Sequence, residues 1–69
     1  MKPGELRTFR IDMRFSHDAR RVSGKTFVVV DVQARGVFQI ADFLVDGQVE
    51  REWDALWVES NSEVLSAEG

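Results

Sequence analysis

Sixty-nine residues, 43% apolar and 30% charged, with five Phe, two Trp and no Cys, describe one small folded domain rather than a disordered tail. Without cysteine there is no disulfide and no thiolate zinc site, so tight packing and self-association remain as ways to stabilise so short a chain. The charge is split: residues 1–25 carry seven Lys/Arg against three acids, and residues 26–69 two Arg against nine acids, giving −3 overall. One end is therefore expected to neutralise the other, within the fold or between subunits.

In chain order, Pro3-Gly4 breaks structure and the first predicted element follows it. Phe9, Ile11, Met13 and Phe15 alternate with Arg10, Asp12 and Arg14, the two-residue period of a strand with one dry and one wet face. Ser16 to Lys25 reads as a polar loop of about ten residues, a length at which loops often carry function. Thr26 to Ala34 is rich in β-branched residues and predicts a central strand, covered on both sides over its first half. Val28, Val30, Val32 and Ala34 form one face of it; Phe27 and Val29 begin the other. Arg35-Gly36 is the next turn.

Val37 to Val45 predicts a third strand, with Phe38, Ile40 and Leu44 on one face and Val37, Ala41, Phe43 and Val45 on the other. A bulge or bend is expected near Ala41-Asp42. Asp46-Gly47 is the strongest turn dipeptide in the chain. Residues 48–59 allow two readings. As a strand they place Val49, Trp53, Ala55 and Trp57 together; as a helix they place Val49, Trp53, Leu56 and Trp57 on one stripe. Glu63-Val64-Leu65 suits a short last strand.

The expected fold is mainly β: a small antiparallel meander of four or five strands, such as an SH3-like barrel or β-roll. The alternative is a three-stranded sheet with a C-terminal helix at about 48–59. Residues 1–69 form a single domain, with frayed ends expected at 1–4 and about 66–69.

No catalytic constellation emerges. Ser23-Gly24-Lys25-Thr26 matches the end of a phosphate-binding loop, but Ala19 stands where the motif needs Gly, and a Val-rich segment follows instead of a helix. His17 is the only histidine, and no Ser lies in a nucleophile elbow. Asp42, Asp46, Glu50, Glu52 and Asp54 lack calcium-loop spacing; a solvated face paired with Arg10 and Arg14 is the simpler reading. No metal or cofactor is expected, and an enzyme or small-ligand site is the least favoured class.

Two functional classes remain. The first is a non-enzymatic protein-interaction module that forms a homo-oligomer and binds a protein partner. Its surface would be Trp53 and Trp57, rimmed by Arg10, Arg14, Arg20 and Arg21, because Trp anchors interfaces. The second is a regulator that grips nucleic acid with the basic end or imitates it with the acidic end. The negative total charge and the placing of Phe9 and Phe15 on the dry face argue against gripping. No apolar run approaches a membrane span, no signal-peptide core is present near Met1, and a cytoplasmic location is the default.

Overall fold

The computed structural model describes residues 1–14 and 16–66, Ser66 by its backbone; Phe15 and residues 67–69, including the expected frayed end there, lie outside the described residues. Five strands, β1 (Leu6–Phe9), β2 (Thr26–Arg35), β3 (Phe38–Val45), β4 (Gln48–Asp54) and β5 (Ser62–Ser66), form one antiparallel sheet in the order β4-β3-β2-β1-β5. Two short helices interrupt the meander, α1 (His17–Val22) between β1 and β2 and α2 (Ala55–Ser60) between β4 and β5. The chain is mainly β. The first four strands meander, and α2 then carries the chain back so that β5 lies beside β1, leaving β4 and β5 at the two edges of a small curled sheet in keeping with the expected meander.

The turns follow their residues. Asp46 and Gly47 both have positive φ (52° and 75°), the pair of left-handed positions that a two-residue hairpin turn demands. At the other hairpin, Gly36 takes φ 62°, and Arg35 pairs with Phe38 across it.

The first strand is shorter than its alternation predicts. After Phe9 the chain leaves the sheet: Arg10 N–H donates to Asn61 O at 3.0 Å, and Gly24 N–H donates to Arg10 O at 2.8 Å. Ile11 is consequently 81% exposed, while Met13 is buried by the fold of the loop over the core. The loop itself contains α1. Ser16 caps it, accepting from Ala19 N–H at 3.1 Å, and Ala19 and Val22, three apart, bury its inner face.

The expected bulge near Asp42 exists, but not in β3. That strand is regular, and its neighbours each carry an extra residue opposite Asp42. The β2–β3 register shifts between Val29 and Asp31, and the β3–β4 register between Ala41 and Phe43, where Glu52 takes φ 59°. Each shift moves the later residues of its strand to the opposite face. Val32 therefore pairs with Ala41 and packs against the core, rather than sharing a face with Val28 and Val30. On β4, Val49 pairs with Leu44 while Trp53 pairs with Ala41, so these two do not share a face as an unbroken strand would require.

Residues 48–59 resolve into both expected elements in succession. The helix begins only at Ala55, and this later start brings Ala55 and Val58 inward and leaves Leu56 exposed. Asp54 sets the start by accepting from the N–H groups of Leu56 (3.0 Å) and Trp57 (3.3 Å).

Phe9, Phe27 and Phe43 form the centre of the core, with Phe9 stacked on Phe27 at 4.3 Å between centroids and edge-on to Phe43 at 5.5 Å. Beside it lies a buried ion pair. Arg7 donates to Glu5 Oε1 (2.6 Å), Ser62 Oγ (2.8 Å), Ser62 O (3.1 Å) and Glu59 O (3.2 Å), tying β1 to β5 and to the end of α2. Residues 1–4 are held as well: Gly4 N–H donates to Val29 O at 2.8 Å, and Met1 packs against the core.

Candidate interaction surface

The two tryptophans occupy different elements and converge. Trp53 lies near the end of β4 and Trp57 in α2, with ring centroids 5.7 Å apart. Trp53 is edge-on to Phe43 at 5.1 Å, and Phe9 lies 6.4 Å from Trp53 and 6.3 Å from Trp57. Both rings are half-buried and close one end of the aromatic core, a structural use of the residues expected to anchor a partner.

Of the expected basic rim, the structure brings only Arg21 to this region. Arg21 donates to both oxygens of Glu50 (2.7 and 3.0 Å) and to Asp18 Oδ1 (2.9 Å). The Glu50 hydrogen bonds, then those of Asp18, raise the Arg21 pKa further above its ordinary value. The same guanidinium holds the Glu50 carboxyl below the usual carboxylate range, with a smaller contribution from a Trp53 hydrogen bond. Arg10, Arg14 and Arg20 are exposed on the β1–α1 segment.

The acidic residues are not paired with Arg10 and Arg14 as expected; β1 ends before it can present those side chains to them. Glu50 takes Arg21, Asp46 takes Lys25, Glu52 takes Arg35 at 2.6 Å, and Arg51 approaches Asp42 at 3.9 Å. Arg21–Glu50 and Lys25–Asp46 join the basic third of the chain to the acidic remainder. The charge split is thus neutralised in part inside the fold, with Arg10, Arg14 and Arg20 left exposed. A cleft of about 200 Å³ runs between these two pairs, lined by Val22, Val45 and Gln48, and its four charged groups satisfy one another. Among the described residues no cluster of three or more His, Asp or Glu is placed to hold a metal ion. His17 is exposed at the first turn of α1, and Lys25-Thr26 leads into a strand, as the turn reading of that tetrapeptide requires.

The surface that sequence reasoning missed lies on the other side of the sheet. Leu6 pairs with Val28, Val28 with Leu44, and Leu44 with Val49, so four aliphatic side chains form one row across β1, β2, β3 and β4. Leu6 is half-buried; Val28, Leu44 and Val49 are 36%, 40% and 42% exposed, and neighbouring Val30 is 47% exposed. Leu65, also exposed, sits at the β1–β5 register shift beside Leu6. The sequence signal was present in the two-sided apolar character of β2. Sequence alone implies burial on both sides, whereas among the described residues α1, α2 and the segment carrying Met13 pack against the inner face.

Comparison with protein-family models, with curated proteins and with solved structures finds no match to this chain.

Proposed function

We propose that this chain is a small non-enzymatic interaction module that self-associates through the outer face of its sheet. The observation that carries this reading is the row Leu6, Val28, Leu44 and Val49, four cross-strand partners with, among the described residues, no helix or strand packed above them. A central strand with apolar side chains on both faces is usual where both faces are covered, and a partner supplies the missing cover. Covering the exposed remainder of Val28, Val30, Leu44 and Val49 contributes about 3 kcal/mol per copy. Two copies together gain about 6 kcal/mol and association costs at least about 4 kcal/mol, so these four residues alone leave a pair weaker than millimolar, and micromolar affinity requires the rest of the outer face to be covered as well.

Nucleic acid is the weaker partner. Arg21 and Lys25 are engaged by Glu50 and Asp46, which removes two of the basic groups a phosphate backbone would need. Among the described residues no helix is long and apolar enough to cross a membrane. A cytoplasmic setting belongs to the same reading and is supported by the lack of cysteine. Sedimentation equilibrium tests the proposal: mass should rise towards twice the monomer across the micromolar range. A single monomeric species up to about 100 μM would overturn it.

A further inference from the structure

We infer that the occupant of the outer face is a second copy of this chain, packed sheet against sheet about a two-fold axis that runs across the strands near Val28 and Leu44. This rests on the self-association reading and specifies its geometry.

Size is the first argument. The molecule measures 28 × 26 × 21 Å, so a broad face is on the order of 700 Å², against about 800 Å² per partner in a standard interface. A stable pair must use essentially the whole face; a loop tip or one strand edge falls short. Position is the second. Val28 and Leu44 lie in the middle of the aliphatic row, and a two-fold axis there lets the same patch serve both copies. The β4 edge is the third. Glu52 bulges out of the ladder at φ 59°, its N–H is taken by Asp42 Oδ1 at 2.8 Å, and charged Glu50, Arg51 and Glu52 follow one another, which blunts edge-to-edge pairing there.

Charge selects the direction of the axis. Asp42 shares the face of Leu44 and is the cross-strand partner of Asp31. Gln33 donates to Asp31 at 2.5 Å and Arg51 lies 3.9 Å from Asp42, so this end of the face stays net acidic. The other end carries Thr8 and Thr26, whose hydroxyls are 3.4 Å apart, with the exposed Glu63 of β5 beyond them as the cross-strand partner of Thr8. An axis along the strands would stack four carboxylates. An axis across the strands keeps each strand over its own copy, so Asp31 of β2 lies over Thr26 and Asp42 of β3 lies towards the Asp46 end, where Lys25 supplies a counter-charge.

Thr26 is therefore the reporter. By sedimentation, Thr26→Lys should tighten the dimer about three- to tenfold at low salt and Thr26→Glu should loosen it by a similar factor. Leu44→Lys should abolish it, while Val37→Lys at the exposed hairpin tip leaves it unchanged. Circular dichroism shows which variants fold, and Leu44→Thr serves if Leu44→Lys does not. Facing sheets sit about 10 Å apart, beyond disulfide reach, so the cross-link is made with a short bismaleimide. In a chain with no native cysteine, Val28→Cys should yield covalent dimer and Val37→Cys should not. A dimer that survives Leu44→Lys, or that Thr26→Lys and Thr26→Glu both weaken, overturns this geometry while leaving self-association standing. Absence of any dimer overturns the functional reading itself.

Discussion

The two faces of this sheet each carry an aligned set of apolar side chains, aromatic-rich on one and aliphatic on the other, and the two sets end in opposite states. On the inner face Phe9, Phe27, Val29, Phe43 and Val45 are buried, roofed by α1, α2 and the segment that carries Met13. On the outer face Leu6, Val28, Leu44 and Val49 align just as regularly, yet among the described residues nothing lies over them. Strand alternation decides which residues can be buried together. It does not decide whether a cover exists, which depends on where the connections run. Here both helices pack on one side, and the aliphatic row on the other stays exposed.

The contrast can be broken most severely from within. Phe43→Ala should cost about 3–5 kcal/mol. That matches most of the total of about 3–10 kcal/mol expected of a chain this size, so urea denaturation should find it largely unfolded. Arg7→Ala should cost about 3 kcal/mol because it strands the Glu5 carboxylate in a buried site, and Arg7→Met should not recover the loss while Glu5 remains. Asp54→Ala removes the cap of α2 and should lower stability by about 1 kcal/mol, with Asp54→Asn retaining most of it.

On the outer face, Val28→Thr should change monomer stability by less than about 1 kcal/mol while markedly weakening self-association. The smallest effect concerns pH. The Glu50 carboxyl is lowered by Arg21, so its contribution is present above the ordinary carboxylate range and is lost as pH falls through the lowered value. Glu50→Gln should flatten that limb of a stability–pH curve below about pH 4.

Much of this architecture is legible in the residues. Val-rich β2, the Asp46-Gly47 turn and the partition of β3 into Phe38/Ile40/Leu44 and Ala41/Phe43/Val45 follow from period and turn chemistry. Two kinds of feature escape such reasoning. A single extra residue at Val30 or Glu52 reverses every later side chain of its strand, and composition carries no sign of it; Glu52 adopts a left-handed backbone conformation that Glu rarely takes. The short α1 is hidden for a different reason. Ser16, Asp18, Ala19 and Val22 do spell a capped helical turn, but six residues of it look like loop until the core they cover is known. At the candidate surface, Trp53 and Trp57 stand out by size and the aliphatic row does not, because its alignment exists only across strands.

The seam between β1 and β5 has a kinetic consequence. The β2–β3 and β3–β4 hairpins close over two-residue turns and can form early, whereas Arg7 meets Ser62 only after a loop of about fifty residues has been drawn together. Until Ser62 arrives, Phe9 has its rings to one side and an open edge to the other. The molecule cannot complete its interior in stages, and folding should be a single late event gated by the last strand.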